Sequence, residues 1–314
     1  GLKQYGHSKD QKPKPIVGMG LFMDGDGIPL AFDIHSGNTN EQTTLKPLEK
    51  RILKDFELSK FVVCTDAGLS SADNRNFNNI SGRAFITTQS LKKLKKHLKD
   101  WALDPTGWRV SGEDKLFDIS LLEHDDSMYE EYYSKTFYKE RWIKEDNLEQ
   151  RLIVTYSLKY KEYQRKIRLK QLERATKLIS GRKSDMKSKN QNDFRRFISS
   201  TNVTKDGEIA EDTIYGIDED VVKKEEMYDG FYAVCTNLED DVEAITKINH
   251  RRWEIEECFR IMKSDFKARP VYLSRDDRIQ AHFTTCFLAL VLYRYLEKYL
   301  GEKFKTQEII NGLK

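Results

Sequence analysis

The order of strand-like and helix-like segments in residues 1–90 constrains the fold of this chain more than any other feature. Apolar runs with the character of strands cover residues 15–24 and 28–35, and a glycine-containing turn joins them. Apolar residues at helical spacing follow at 43–56, and two further strand-like runs, at 60–68 and 83–90, flank a short helical segment. A chain that mixes strands and helices in this order predicts an α/β fold.

Residues 91–227 have a different pattern, which is highly charged and rich in aromatic residues. Within this region we predict a strand at 149–157 and a long basic helix at 159–179. A strand-like run returns at 230–237, and helical patterns continue from residue 240 to the end. We therefore interpret 91–227 as an insertion between the first half of one α/β core, 1–90, and its second half, 228–314.

Positive charge is concentrated in one part of the chain. The formal net charge of the whole sequence is only +3, but residues 158–198 hold 14 Lys and Arg against 4 Asp and Glu. This segment therefore has a net charge of +10, and the rest of the chain has a net charge of −7. Such a block is either a phosphate-binding surface or a solvated helix face, and the sequence leaves both interpretations open.

The cysteines and the apolar segments exclude several classes of protein. Cys64, Cys235, Cys258 and Cys286 lie far apart, so neither zinc-site spacing nor a disulfide framework is indicated, and a reducing compartment such as the cytoplasm fits. No apolar run reaches the roughly 18 residues of a membrane span, and CFLALVLY at 286–293 predicts a buried helix. The chain begins at Gly1 in the middle of a pattern, which we interpret as the sign of a fragment.

The stretch RRWEIEECFRIMK at 251–263 places three glutamates among arginines and a lysine. One continuous helix over 241–264, at about 100° per residue, would carry two neighbouring stripes. The apolar stripe predicts the side that faces the core, with Ile245, Ile248, Ile255, Phe259 and Met262. The polar stripe spans about 80° and holds Asn249, Arg252, Glu256, Arg260 and Lys263. Glu254 and Glu257 fall outside both stripes and are predicted to face solvent.

Two acids are candidates for chemistry, each with a second interpretation. Glu256 could form an i,i+4 salt-bridge ladder with Arg252 and Arg260, or it could bind a divalent cation beside cations that hold phosphate. Asp66 ends a strand-like run and precedes small residues, so it could hold a metal ion or cap the next helix. Two such acids and a basic block suggest metal-dependent phosphodiester chemistry, which usually requires a third acid.

Several motifs together point to one family. Arg252, Glu256 and Lys263 have the spacing R-x3-E-x6-K, and Asn249 stands three residues before Arg252. Four further segments are YGHSKD at 5–10, GIPLAFDIHSGNTNE at 27–41, VVCTDAG at 62–68 and YDGFYAVCTN at 228–237. With these segments the chain resembles the DDE-type transposases of bacterial insertion sequences that carry the Tyr-Arg-Glu-Lys signature Y-x2-R-x3-E-x6-K. Within that IS-four-like superfamily the resemblance is to the IS1634 type, although the tyrosine position is occupied by Asn249.

The resemblance implies an RNase H-like mixed sheet with flanking helices and a large insertion before the final catalytic helix. It implies that Asp66 and Glu256 are the second and third acids of a DDE triad that holds Mg²⁺ or Mn²⁺ in a two-metal mechanism. The first Asp and its core strand would then lie upstream of this chain, and the chain alone would be inactive.

The resemblance also implies partners. Arg252 and Lys263 would contact the phosphate of the transposon end, with Arg260 and Asn249 beside them, and His7 and Lys9 are weaker candidates for the same neighbourhood. The substrates would be double-stranded DNA of the element ends and the target, cut and joined by a homodimer in a synaptic complex in the bacterial cytoplasm, at the nucleoid. The basic helix at 159–179 would contact DNA as well. An alternative is a catalytically inactive DNA-binding remnant of a decayed element.

Overall fold

A computed structural model describes residues 1–6, 14–58, 61–80, 82–181, 192–203, 212–301, 303–304 and 306–312. The chain divides into two compact units. The first unit comprises Gly1–Gln89, Trp142–Leu152 and Val234–Lys314, and the second comprises Ser90–Arg141 and Ile153–Ala233. Residues 142–152, which we assigned to the insertion, thus belong to the first unit, and the three predicted regions stay a prediction. His7 and Lys9 lie outside the described residues.

The first unit begins with a hairpin and a helix, as the sequence predicts. Val17–Met23 (β1) and Pro29–Ser36 (β2) pair antiparallel in a two-stranded sheet. Glu41–Asp55 (α1) follows, and the Asn40 side chain caps its start by accepting a hydrogen bond from the amide of Gln42. The apolar face of α1 is buried because its leucines and isoleucine recur at helical spacing.

A six-stranded mixed sheet confirms the predicted α/β class. It contains Phe61–Thr65 (β3), Arg83–Thr88 (β4), Arg109–Val110 (β5), Phe137–Glu145 (β6), Leu148–Tyr156 (β7) and Phe231–Thr236 (β10), in the order β3-β4-β10-β7-β6-β5. Strand β3 is parallel to β4, with Ala72–Phe77 (α2) between them in the chain, and β10 is antiparallel to β4.

The second unit has an aromatic core. Its helices are Lys96–Leu103 (α3), Asp126–Tyr132 (α4), Leu158–Ser180 (α5) and Glu219–Glu226 (α6), and Ile198–Val203 (β8) pairs with Asp212–Ile217 (β9). The rings that pack together at its centre are Trp108, Phe117, Tyr132, Phe137, Tyr156 and Phe231. Helix α5 also confirms the long basic helix that the sequence predicts at 159–179.

The predicted continuous helix over 241–264 is wrong. The chain forms Val242–His250 (α7), turns at residues 251–252, and forms Trp253–Arg260 (α8), which ends in a π-helical turn at Ile261–Asp265. The break interrupts the predicted apolar stripe. Ile248 is 44% exposed, whereas Ile245 and Met262 are buried.

Two further helices, Asp276–Tyr299 (α9) and Thr306–Gly312 (α10), follow. The segment CFLALVLY lies in α9, where Leu290 and Tyr293 are buried but Leu288 and Leu292 are exposed. The prediction of a buried helix therefore holds for only one side of α9. No helix in the described part of the chain is both long and apolar enough to cross a membrane.

Candidate active site

Asp66 follows directly after β3 and caps the 3₁₀ turn Ala67–Leu69. Its Oδ1 accepts hydrogen bonds from the backbone amides of Gly68, at 2.9 Å, and Leu69, at 3.2 Å. The carboxylate is exposed, and its Oδ2 accepts no hydrogen bond from the residues that the structure describes. The cap and a metal-binding role are therefore compatible, because the cap fixes one oxygen and leaves the other facing solvent.

Arg252 joins the start of α8 to the ends of two strands. Its Nη1 donates a hydrogen bond to the carbonyl oxygen of Thr65, at 3.3 Å, and another to Oγ1 of Thr88. Three residues earlier, Asn249 Oδ1 accepts from Sγ of Cys64 at 3.6 Å. These contacts fix the junction of α7 and α8 against β3 and β4. They bring the chain next to Asp66 together with the helix that carries Glu256.

The salt-bridge ladder that the sequence allows for Glu256 does not form. Arg252 is directed to the strand ends, and Arg260 pairs with Glu257, Nε to Oε2 at 2.8 Å, and with Asp265 at 3.2 Å. The Glu256 side chain is exposed and has no ion pair or hydrogen bond with any described residue. Glu256 is thus left available in the first turn of α8, where the positive end of the helix dipole favours an anion.

The prediction that Glu254 faces solvent is wrong. Its Oε2 lies 2.9 Å from Nη2 of Arg294 on α9, and the two side chains are only 16% and 6% exposed. Nε of Arg294 also donates to the carbonyl oxygen of Gly27 in the β1–β2 turn, at 2.9 Å. Gly27 has a φ of 77°, and a Cβ there would lie 1.7 Å from Oε2 of Glu254, so the close approach requires glycine. Glu257, partly buried beside Arg260, faces solvent less than predicted as well.

The remaining predicted DNA-binding residues differ in their surroundings. Asn249 is only 8% exposed, because it packs against β3, and Arg260 is held by two acids. Lys263 is exposed in the π-helical turn, and its Nζ lies 5.4 Å from the centroid of the Phe259 ring. Hydrogen bonds in a π turn run from residue i to i+5, so Lys263 does not continue the stripe that an ideal α-helix predicts.

The electrostatics of the neighbouring groups agree with structural roles. Burial raises the pKa of the Cys64 thiol to about 11, although the Arg252 charge acts in the opposite direction, and burial raises that of Cys258 to about 12. Both thiols therefore stay protonated near neutral pH, as expected of core cysteines and not of nucleophiles. The hydrogen bond from Arg260 to Glu257 raises the pKa of Arg260, which keeps that pair charged.

A comparison with known families decides the class of protein. Residues 2–292 match the family model described as the transposase DDE domain. The chain belongs to the DDE-domain transposases. A search of curated proteins found no match to the chain. The DDE domain is RNase H-like, in agreement with the mixed sheet and flanking helices, and the family catalyses DNA transposition, generally with divalent metal ions.

The two predicted acids can be compared with the needs of a metal site. Asp66 and Glu256 fit as ligands, because each is an exposed carboxylate with at least one oxygen not bonded to a described residue. No group of three or more His, Cys, Asp or Glu side chains among the described residues could hold a metal ion. The assignment of Asp66 and Glu256 as metal ligands therefore stays a prediction.

Sequence reasoning missed a polar network near the same strand end. A cavity of about 130 Å³ is lined by Ser70, Ala72, Arg75, Gln89, Glu145, Asp146, Leu148 and Gln150. Arg75 donates to the side-chain oxygens of Gln89 and Gln150, each at 2.9 Å, and to the Ser70 carbonyl at 3.1 Å. Because Arg75 is satisfied by neutral protein groups, we interpret it as a link between Gln89 just after β4, strand β7 and the segment after Asp66. No sequence spacing indicates this link.

Arg252→Ala is expected to lower the free energy of unfolding by about 1–3 kcal/mol, because it removes the hydrogen bonds from Arg252 to the Thr65 carbonyl and to the Thr88 hydroxyl. Urea unfolding in the absence of DNA measures this loss. Lys247→Ala, an exposed residue of α7, is the control and should change little. Equal stability of the two variants would show that Arg252 serves DNA alone.

Proposed function

We propose that this transposase cuts and joins DNA strands with divalent metal ions held by Asp66 and Glu256. The observation that carries the proposal is the state of Glu256, which is exposed and unpaired among the described residues, although cations lie one turn before and after it. Arg252 supports it further by tying the start of α8 to the strand that ends at Asp66. The first Asp of the triad is proposed to lie upstream of this chain.

The two acids have different tasks in this proposal. The backbone amides of Gly68 and Leu69 hold Oδ1 of Asp66 and so orient Oδ2 outward, while Glu256 approaches from the first turn of α8. Mg²⁺ or Mn²⁺ bound there in a pair would activate a water or a 3′-hydroxyl and stabilise the leaving oxygen. The protein's contribution is to hold the Asp66 carboxylate and the start of α8 before DNA arrives, which lowers the cost of ordering them during the reaction.

The signature residues divide into two roles. We propose that Lys263 contacts a phosphate of the element end, and that Arg252 acts by positioning α8 against β3 and β4. Asn249 and Arg260 have protein partners in this conformation, so a direct DNA contact by either stays a prediction. We also propose that the chain carries the Tyr-Arg-Glu-Lys signature of the IS1634 type, with Asn249 at the tyrosine position, and that it acts as a homodimer at the nucleoid.

Asp66→Asn tests the proposal without disturbing the cap, because asparagine caps a helical turn as well as aspartate does. In the transposase that carries the complete triad, cleavage of element-end DNA with Mg²⁺ is expected to fall by about a hundredfold or more, while DNA binding is retained. Asp73→Asn, an exposed residue in the first turn of α2, is the matched control and should cleave normally.

Three outcomes separate the alternatives. Normal cleavage by Asp66→Asn would contradict the assignment of Asp66. Absence of metal-dependent cleavage in the unmodified transposase, with DNA binding intact, would favour the inactive remnant. Measurable cleavage by the present chain alone would contradict the proposal that the first acid lies upstream.

A further inference from the structure

Two asparagines on one face of α2 are buried, although this residue type usually lies on the surface. Asn74 is 4% exposed and Asn78 is 1% exposed, and their spacing of four residues puts both on the same side of the helix. A buried amide group costs free energy unless its polar atoms find partners. The partners of each side chain therefore indicate what that asparagine does.

Asn74 joins helix α1 to the turn that follows Asp66. Its Nδ2 donates one hydrogen bond to the carbonyl oxygen of Gln42, in the first turn of α1, and one to the carbonyl oxygen of Leu69, each at 3.0 Å. Both hydrogens of the amide are thereby used. The Leu69 carbonyl lies at the end of the 3₁₀ turn whose backbone amides hold Oδ1 of Asp66. One side chain therefore links the Asp66 turn to α1.

Asn78 also connects α2 to α1, but by different contacts. Its Nδ2 donates to Oε1 and Oε2 of Glu49, at 3.1 and 3.0 Å, and to the backbone carbonyl oxygen of Asn74 at 3.2 Å. Glu49 is completely buried in α1, and burial raises its pKa to about 7, although the hydrogen bond from Asn78 acts in the opposite direction. The hydrogen bonds of the Asn78 side chain thus go to α1 and to its own helix.

The turn after Asp66 depends on outside contacts because it is short. Ala67–Leu69 forms a single 3₁₀ turn, in which the hydrogen-bond geometry is poorer than in an α-helix. Beside Asn74, its neighbour Arg75 donates from Nε to the carbonyl oxygen of Ser70 at 3.1 Å. Two consecutive side chains of α2 therefore hold two consecutive carbonyls at the end of the turn.

We propose that Asn74 is a positioning residue for Asp66 and acts through the turn that follows it. By holding the Leu69 carbonyl against α1, it keeps the amides of Gly68 and Leu69 directed at Oδ1 and so keeps the carboxylate in one orientation. The inference rests on the proposed function for the role of Asp66 as a metal ligand. Residues that orient a ligand in this way typically change metal affinity or activity by about 10–100-fold when they are replaced.

The test compares Asn74→Ser with Asn78→Ser at a temperature where circular dichroism shows both variants folded. Serine is too short to reach both carbonyls, so Asn74→Ser separates the turn from α1. Asn78→Ser is the matched control, because it also removes buried hydrogen bonds between α2 and α1 but leaves those of Asn74 in place.

Two measurements are made on these variants. In the present chain, without DNA or metal, NMR with isotope-labelled glycine and leucine measures amide hydrogen exchange at Gly68 and Leu69. In the transposase that carries the complete triad, cleavage of element-end DNA is measured against the concentration of Mn²⁺.

Asn74→Ser is expected to exchange the two amides at least about tenfold faster than the unmodified protein, because the turn opens more often. It should also need at least about tenfold more Mn²⁺ for half-maximal cleavage. Asn78→Ser should stay within about threefold of the unmodified protein in both measurements. Equal values for the two variants would overturn the proposal, because they would show only a general loosening of α1 and α2. So would faster exchange in Asn74→Ser with an unchanged requirement for Mn²⁺.

A milder variant keeps the test decisive if Asn74→Ser does not fold. Ser71→Ala removes the hydrogen bond from the Asn74 amide to Oγ of Ser71, 3.2 Å long, which caps α2. Loss of such a cap should raise the exchange rates at Gly68 and Leu69 and the requirement for Mn²⁺ by about threefold. Unchanged values would overturn the proposal.

The outcomes separate this proposal from the assignment of the metal site. If Asp66→Asn cleaves DNA normally, the role of Asp66 as a metal ligand fails, whatever the exchange rates of the Asn74 variant. If Asp66→Asn loses cleavage but Asn74→Ser behaves like Asn78→Ser, only the positioning role of Asn74 fails.

Discussion

Glu256→Gln is expected to lower metal-dependent DNA cleavage by about a thousandfold or more in the transposase that carries the complete triad. Glutamine has the shape of glutamate but lacks the charge that holds a divalent cation, and a metal ion contributes several kcal/mol to stabilising the transition state. DNA binding in EDTA should be unchanged, because the proposed phosphate contacts lie on other residues. A cleavage assay on labelled element-end DNA, with Mg²⁺ and then Mn²⁺, measures the effect.

Glu257→Gln is the matched control for this prediction. It changes the same residue type at the next position of α8, but Glu257 is bound to Arg260. Cleavage by this variant should stay within a few-fold of normal. Similar losses in both variants would contradict the special role of Glu256 and point to a general requirement for negative charge on α8.

The absence of a protein partner makes Glu256→Gln informative. Because Glu256 is exposed and bonds to no other described side chain, its replacement should change the free energy of unfolding by less than about 0.5 kcal/mol. Loss of cleavage would therefore report chemistry and not folding. Urea unfolding of the variant checks this point directly.

The elements that the sequence predicts well are those decided by local pattern. Strands β1 and β2 are apolar runs around a glycine turn, and α5 is a long polar helix with a regular buried side. Asp66 was identifiable because an acid followed by small residues at the end of a buried strand is a local feature. The family match then covers nearly the whole chain, as the quoted motifs indicated.

The features that the sequence could not predict depend on distant partners. The break between α7 and α8 contains neither Gly nor Pro, and the contacts of Arg252 with Thr65 and Thr88 hold it in place. The burial of Glu254 depends on Arg294, forty residues later, and periodicity along one helix contains no information about that partner. The missing ladder around Glu256 has the same cause for Arg252, which bonds to the distant strand ends, whereas Arg260 is engaged by its near neighbours Glu257 and Asp265.

Arg294→Met is expected to lower the free energy of unfolding by about 3–5 kcal/mol, because it leaves buried charges unpaired. Arg294 joins three elements: Glu254 on α8, Glu297 one turn further along α9, and the carbonyl of Gly27 between β1 and β2. Methionine fills similar space and removes only the guanidinium, so the loss reports the charge network. Urea unfolding at pH 7 with a common m-value measures it.

Two further variants show whether the network explains the loss. Arg275→Met breaks an exposed pair with Asp277, whose side chains are 66% and 61% exposed, and should cost less than about 1 kcal/mol. Adding Glu254→Gln to Arg294→Met should recover part of the loss, because one unpaired charge is removed, and this recovery is the coupling between the two residues. A loss for Arg294→Met no larger than that for Arg275→Met would contradict the network.

The same variant connects stability to the proposed site. Arg294 holds Glu254, which lies two residues before Glu256 on α8, so loosening the pair should let α8 move relative to the β1–β2 turn. We therefore expect Arg294→Met to cleave DNA more slowly even at a temperature where circular dichroism shows it fully folded, because a carboxylate that is free to move holds a metal ion less well. A normal cleavage rate in the folded variant would mean that Arg252 alone positions Glu256.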